Sequence, residues 1–102
     1  MPYDRLVKLN TKECLWVYVL KILSEKDEHA YTMRKEIAER FGFNPGTMTA
    51  YKVLYLLTLG GYVRARQDGR RNVYTITDKG REMLDKAVKF YHTQAKVLGA
   101  FK

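Results

Sequence analysis

The hydrophobic and polar positions along the chain divide it into helical segments and one stretch of alternating pattern. The first helix is predicted over residues 11–24, because Asn10 and Glu13 have the spacing of a capping box and an apolar run follows them. Trp16 and Tyr18 widen the apolar stripe until most of the surface of this segment is apolar. A helix of that kind lies at the centre of a fold or at an interface between subunits.

The next segment has the pattern of two helices joined by a short turn. An apolar face at four-residue spacing consists of Met33, Ile37 and Phe41. Gly42 predicts the end of this helix, since glycine readily adopts a left-handed backbone. Asn44 as N-cap and Pro45 at the first helical position predict a third helix over residues 45–59. Two helices joined by a short turn that contains glycine are the connection of a helix-turn-helix.

The third helix has an inward apolar face and an outward face of small polar and aromatic side chains. The inward side chains are Ala50, Val53, Leu54 and Leu57. The outward side chains are Thr47, Thr49, Lys52, Tyr55 and Leu56. Short polar side chains and a lysine near the N-terminal half suit a helix whose end enters the major groove of DNA.

After the third helix the pattern alternates, which predicts strands over residues 62–67 and 72–77. Asp68 and Gly69 lie between them, and this pair is typical of a tight hairpin turn. The hairpin carries one acidic residue, Asp68, and four arginines, which are Arg64, Arg66, Arg70 and Arg71. By the two-residue period of a strand the first two share a face, and the last two lie at the tip.

A fourth helix is predicted after the hairpin, with Thr77 as its cap and Asp78 favourable at its positive end. Apolar residues then recur at alternating spacings of four and three, as in a heptad repeat, at Leu84, Val88, Tyr91, Ala95 and Leu98. Phe90 and Phe101 broaden this stripe. A single small domain cannot cover both of its ends, so the pattern predicts a homodimer packed helix against helix.

Composition adds a strong charge to this picture. The chain of 102 residues is long enough for one domain and carries 19 Lys and Arg against 11 Asp and Glu, a formal net charge of +8. A surface of that sign attracts polyanions, and nucleic acid is the first candidate partner. Cys14 is the only cysteine, which excludes an intrachain disulfide and a multi-cysteine zinc site, and we expect it to be a small core residue.

The sequence gives no support to several other functional classes. No apolar run approaches the roughly 20 residues that span a bilayer. The N-terminus lacks the basic start and apolar stretch of an export signal, so we expect a cytoplasmic protein without a membrane partner. His29 and His92 stand apart from other ligand residues, which predicts no metal site. No glycine-rich phosphate loop or serine elbow is present, so we expect neither an enzyme nor a bound cofactor.

Two stretches of the chain resemble the signature of the PadR-like transcriptional regulators. In the recognition helix and the glycine before the wing, the resemblance rests on Thr49, Tyr51, Leu54, Leu57 and Gly61. In the wing and the start of the last helix, it rests on Gly69, Arg70, Arg71, Tyr74, Thr77 and Gly80. The resemblance implies a homodimeric regulator, usually a repressor, that dimerises through its C-terminal helices and whose affinity for DNA can respond to a small-molecule effector.

The predicted fold is mainly α with a small β-hairpin. Residues 1–80 are expected to form a winged helix-turn-helix with an N-terminal extension over residues 1–10, and residues 81–102 a dimerisation helix of the same compact unit. The partner is expected to be double-stranded DNA. Predicted contacts with this DNA are Thr47, Thr49, Tyr51 and Lys52 on the recognition helix and Arg64, Arg66, Arg70 and Arg71 on the wing.

Several alternatives stay open at this point. Tyr51 either packs under the wing or reaches a phosphate, and Trp16 either packs in the core or an interface or lines an effector pocket. Leu56 and Leu59 stand where the family tends to carry charge, and this apolar face would also suit a winged helix that binds another protein. Binding to DNA or RNA without sequence preference is a third hypothesis.

Overall fold

The computed structural model describes residues 1–99, and Phe101 therefore lies outside the described residues. The elements in chain order are α1 (Pro2–Leu9), a 3-10 helix (Lys12–Cys14), α2 (Leu15–Glu25), β1 (Glu28–His29), α3 (Ala30–Phe41), α4 (Thr47–Leu59), β2 (Val63–Asp68), β3 (Arg71–Ile76) and α5 (Asp78–Gly99). The fold is mainly helical with a small antiparallel sheet, as the sequence predicts.

The N-terminal segment departs from the prediction. The expected extension forms helix α1, and Asn10 ends this helix instead of capping the next one, because its Nδ2 donates a hydrogen bond to the carbonyl of Leu6 at 2.8 Å. The predicted capping box is therefore wrong, since the asparagine side chain finds a backbone partner four residues earlier. A 3-10 turn follows, and α2 begins only at Leu15.

Helix α2 lies at the centre of the fold. The buried residues of this helix are Leu15, Val19, Leu20, Ile22 and Leu23. Packed around them are Met33 and Ile37 of α3, Leu54 and Leu57 of α4, and Val63 and Ile76 of the sheet. Of the two positions expected for this helix, the structure shows the central one. Because α3, α4 and the sheet share one core, their relative positions are fixed.

The turn between α3 and α4 sets the start of the second helix. Gly42 ends α3 in the left-handed conformation at φ 76°, as predicted. Gly46 is the N-cap of α4, so the prediction of Asn44 as N-cap and Pro45 as first helical residue is wrong by two positions. Pro45 is buried, and its carbonyl accepts a hydrogen bond from Nε of Arg34 at 3.2 Å, which holds this part of the turn outside the helix.

The hairpin belongs to a three-stranded antiparallel sheet in the order β1-β3-β2. The third strand, β1, was not predicted from the sequence; it is two residues long and pairs Glu28 with Tyr74 and His29 with Val73. A strand of two residues is too short to produce an alternating pattern. It nevertheless connects the N-terminal end of α3 directly to the wing.

The hairpin turn lies one position later than predicted. Asp68 pairs with Arg71, so the loop consists of Gly69 and Arg70, and the strands cover residues 63–68 and 71–76. Gly69 has φ 65°, and a positive φ at the first loop position is the pattern of a type II′ turn. Arg70 is therefore one of the two residues of the turn itself.

Helix α5 is anchored at its start and extends away from the core. Thr77 caps it as predicted: its Oγ1 accepts a hydrogen bond from the N–H of Gly80 at 3.1 Å and donates one to the carbonyl of Gly61 at 2.6 Å. A Cβ at Gly80 would clash with the carbonyl oxygen of Tyr62, so helix and loop are in close contact. Within residues 1–99, no helix combines the length and apolar character needed to cross a membrane.

Candidate nucleic-acid interface

Helix α4 buries one side and exposes the other. Its buried residues are Ala50, Leu54 and Leu57. At about 100° per residue, the side directly opposite carries Met48, Lys52, Tyr55 and Leu59, and all four side chains are exposed. This outward side is exposed along the whole helix, and its N-terminal half is the part that can enter a groove of nucleic acid.

The four contacts predicted on α4 are all exposed, but they do not form one row. Lys52 lies in the middle of the outward side, and Thr49 and Tyr51 lie on its two flanks. Thr47 is in the first turn of the helix, on the flank of Tyr51. Met48 is 85% exposed and was not predicted as a contact, because a methionine at this spacing gives no polar signal.

The wing exposes all four predicted arginines. Arg64, Arg66 and Arg71 share one face of the sheet, and Arg70 lies in the turn. Asp68 is opposite Arg71 in the register, yet the two do not form an ion pair. Within residues 1–99, no carboxylate forms an ion pair with the arginines at the tip of the wing.

Arg66 differs from the other three arginines. Its Nη1 lies 3.6 Å from Oδ2 of Asp27, the residue before β1. Both side chains are exposed, so the pair contributes little to stability, but the carboxylate offsets part of the positive charge of this arginine. Arg66 is therefore a weaker candidate for a phosphate contact than Arg64, Arg70 or Arg71.

A groove of about 320 Å³ joins the tip of the wing to α4. It is lined by Tyr51 of α4, by Arg70, Arg71, Asn72 and Tyr74 of the wing, and by His29, Ala30 and Tyr31 at the start of α3. We call it the wing notch. The structure thus brings Tyr51 together with two of the four predicted arginines, whereas Arg64 and Arg66 lie outside the notch.

Three polar residues of the wing notch, His29, Tyr31 and Asn72, were not predicted from the sequence. His29 and Tyr31 reach the notch because β1 pairs with β3 and places the first turn of α3 beside the wing. A buried carboxylate supports this arrangement: Glu28 is 8% exposed and its Oε1 lies 3.3 Å from Nζ of Lys26. The hydrogen bond to Glu28 raises the pKa of Lys26, so the ammonium stays charged.

The predicted dimer seam is only partly covered within the chain. Leu84 packs against the core, whereas Val88, Ala95 and Leu98 are exposed. A groove of about 640 Å³ between α1 and α5 is lined by Tyr3, Leu6, Val7, Asn10, Thr11, Tyr18, Phe90, Tyr91, Gln94 and Leu98. Apolar side chains of both helices thus remain accessible along this edge of the described protein.

Tyr91 is the seam residue with the most distinctive environment. Partial burial and, after it, the nearby Cys14 thiol raise the pKa of Tyr91 to about 12. Cys14 itself is half-buried instead of enclosed in the core, so the expectation of a core cysteine holds only in part. The contact ties the start of α2 to the middle of α5.

Trp16 lines a second, apolar cavity of about 320 Å³ on the other flank of α4. The other lining residues are Val53, Leu56, Leu57, Tyr62 and Met83. Leu56 is half-exposed at the rim, and Leu59 lies outside. The apolar side chains of α4 that line this cavity therefore form one of its walls, and α2 and α5 contribute the others.

Within the part of the chain that the structure describes, no cluster of His, Cys, Asp and Glu could hold a metal ion.

Helix α2 packs against α3 and α4, which are joined by a short turn, and the hairpin and α5 follow in the chain. This arrangement defines a winged helix-turn-helix. The sequence profile of the "Transcriptional regulator PadR-like family" matches residues 19–86. The chain belongs to this family of transcriptional regulators.

Solved structures with the same fold include several members of this family. A transcriptional regulator from Clostridium thermocellum is 22% identical, with a TM-score of 0.77 over 84% of this chain and 90% of that one. A PadR family transcription regulator from Clostridium difficile is 22% identical, with a TM-score of 0.76 over 84% and 95%. Bacillus subtilis PadR, solved in complex with operator DNA, is 22% identical, with a TM-score of 0.67 over 76% of this chain and 47% of that one. Among curated proteins, no sequence match was found.

Proposed function

We propose that this protein is a homodimeric, sequence-specific DNA-binding regulator that acts as a repressor. The observation that carries the proposal is the wing notch, which holds Tyr51 of α4 and the wing-tip arginines on one continuous surface. A single duplex can then receive α4 in its major groove while the wing lies on the backbone or in the adjacent minor groove. The structure of Bacillus subtilis PadR with operator DNA, which shares this fold, supports the proposal.

Base contacts are assigned to the exposed N-terminal half of α4. Thr47, Thr49 and Lys52 offer hydroxyl and ammonium groups, and Met48 offers an apolar surface for a thymine methyl group. The backbone contacts are assigned to the wing, with Arg70 and Arg71 at its tip and Arg64 on its face. Arg66 contributes less because of Asp27.

The dimer is assigned to the exposed apolar residues of α5, together with those of α1 across the adjacent groove. A twofold axis through this edge would present two copies of α4 to one side of a duplex. Successive major grooves on one side are about 34–36 Å apart, so the preferred site would be roughly palindromic. A dimer that occupies such a site excludes other proteins from the same DNA, which is the basis for proposing repression.

The proposal includes control of DNA affinity by a small molecule. The apolar cavity beside Trp16 has α4 as one wall, so an uncharged aromatic ligand there would act on the recognition helix itself. Indole is a suitable probe. It is expected to shift the indole N–H signal of Trp16 in nuclear magnetic resonance spectra of the isotope-labelled protein and to change the affinity for DNA, and an unchanged signal at millimolar indole would exclude this site.

The experiment that tests DNA binding uses a labelled duplex of random sequence and fluorescence anisotropy at several salt concentrations. The proposal predicts binding that weakens steeply between about 50 and 200 mM salt, because phosphate contacts release counterions. Selection from a random pool is then expected to yield a palindrome. Tight binding without any selected sequence would favour a nonspecific nucleic-acid binder instead.

A protein-interaction module is the second candidate, and the exposure of Leu56 and Leu59 at 52% and 67% is the observation that favours it. In that case the wild-type protein would show no affinity for duplex DNA even at low salt. Leu56→Ser with Leu59→Ser separates the two functions. The double variant is expected to keep its affinity for DNA if the first proposal is correct.

A further inference from the structure

The wing notch differs chemically from the groove between α1 and α5 and from the cavity beside Trp16. It combines two guanidinium groups, two exposed phenol groups, an imidazole and an amide, and no carboxylate lines it within residues 1–99. We propose that the wing notch is a seat for one phosphodiester group of the DNA backbone, held jointly by Arg70 or Arg71 and by the hydroxyls of Tyr31 and Tyr51. This inference rests on the proposed function and names the part of the DNA that the notch binds.

Charge is the first argument. Neither Arg70 nor Arg71 forms an ion pair or a side-chain hydrogen bond within residues 1–99, so both guanidinium groups keep their full donor capacity. A guanidinium matches the geometry of a phosphate, to which it can donate two parallel hydrogen bonds. An anion is therefore the ligand that complements this surface.

The tyrosines are the second argument. Tyr31 on α3 is 64% exposed and Tyr51 on α4 is 52% exposed, and both line the notch although they belong to different helices. Within the described chain, neither hydroxyl has a protein partner. A phenol donates one hydrogen bond to a phosphate oxygen and adds no charge. Two large aromatic side chains left in water around a cationic groove are explained by a ligand with both anionic and apolar parts.

The shape of the notch is the third argument. A volume of about 320 Å³ exceeds that of a bare phosphate group and leaves room for the adjoining deoxyribose, whose carbon atoms can lie on the tyrosine rings. Tyr74, which is buried, forms part of the floor. Ala30 is the first residue of α3, where no side chain caps the helix, so the partial positive charge of the helix end adds to the attraction.

The site has a consequence for recognition. A phosphate held at once by α3, α4 and the wing cannot move along the protein surface, and backbone contacts of this type fix the register of a recognition helix on the duplex. The notch therefore positions α4 and does not read bases itself. The contribution of Tyr31 and Tyr51 to the binding affinity is therefore expected to be the same for every DNA sequence.

The test compares Tyr31→Phe and Tyr51→Phe with the wild type, by anisotropy with a labelled random-sequence duplex at several salt concentrations. Each variant is expected to bind about tenfold more weakly, as for the loss of one hydrogen bond to a charged group. The dependence on salt stays unchanged, because no charge is removed. Arg71→Ala instead lowers the slope of log K against log salt by about 0.9 for each bound protomer. The matched control is Thr93→Val, which removes an exposed hydroxyl from α5 outside both the notch and the seam and is expected to leave the affinity unchanged.

A double-mutant cycle tests whether the groups share one phosphate. If they do, Tyr51→Phe combined with Arg71→Ala loses less affinity than the product of the two single losses. Wild-type affinity in both tyrosine variants, or strictly multiplicative losses in the cycle, would overturn the wing notch while DNA binding itself stands. A wild-type protein that does not bind the duplex at about 50 mM salt would instead overturn the proposed function.

Discussion

Replacing both wing-tip arginines with alanine tests the electrostatic part of the account in depth. Arg70 and Arg71 line the wing notch beside Tyr51, and within residues 1–99 neither forms an ion pair that the substitution would also remove. Each cation that neutralises one phosphate of B-DNA changes the slope of log K against log salt by about 0.9. The double variant is therefore expected to lower this slope by about 1.8 for each protomer that contacts the duplex.

This slope fixes how the effect of the substitution depends on salt. A fourfold increase in salt, from about 50 to 200 mM, combined with a slope change of about 1.8 per protomer, alters the ratio of the two affinities about 12-fold for each bound protomer. The variant is thus most impaired at low salt, and its deficit shrinks as salt rises. Anisotropy titrations of both proteins with the same duplex measure the two slopes directly.

A control of equal charge separates a local contact from a general effect of net charge. Lys86→Ala with Lys96→Ala also removes two positive charges, but from exposed positions on α5. This control is expected to keep the slope of the wild type. An arginine variant with an unchanged slope, or a lysine control that loses as much slope, would refute the reasoning.

Packing, assembly and ionisation each give a further test. Gly80→Ala is expected to lower the free energy of unfolding in urea by about 1–3 kcal/mol, because its Cβ meets the carbonyl of Tyr62, and an unchanged value would contradict the close contact. Val88→Asp with Leu98→Asp is expected to turn a dimer into a monomer in sedimentation, and a monomeric wild type would exclude the seam. The raised pKa of Tyr91, about 12, means that the unfolded chain loses this proton first, so stability falls as pH rises from about 10 to about 12. Tyr91→Phe is expected to flatten that decline in urea titrations. An equally steep decline in the variant would show that the pKa of Tyr91 is not its cause.

Helices and strands with a regular spacing of apolar residues could be predicted from the sequence, and so could a helix end at a glycine with positive φ. The inward face of α4 followed from its spacing, and Gly42 marked the end of α3 because a positive φ favours glycine there. Both wing strands were placed within one residue. These features are local, so the pattern of neighbouring residues is enough to specify them.

Features that depend on distant contacts could not be predicted in this way. The N-cap of α4 shifted because the carbonyl of Pro45 accepts a hydrogen bond from Arg34, eleven residues away. The strand β1 forms only because β3 offers an edge to pair with. For the same reason, the sequence indicated the arginines of the wing but not His29 and Tyr31, which reach the wing notch through that pairing.

The central claim is that α4 and the wing contact one duplex at the same time. Nuclear magnetic resonance of the isotope-labelled protein, titrated with a duplex obtained by selection, tests it directly. The account predicts that backbone signals of Thr49 and Lys52 on α4 and of Arg70 and Asn72 on the wing shift together, with one common binding constant. Shifts confined to only one of these elements, or centred on Leu98 and its neighbours on α5, would contradict the account.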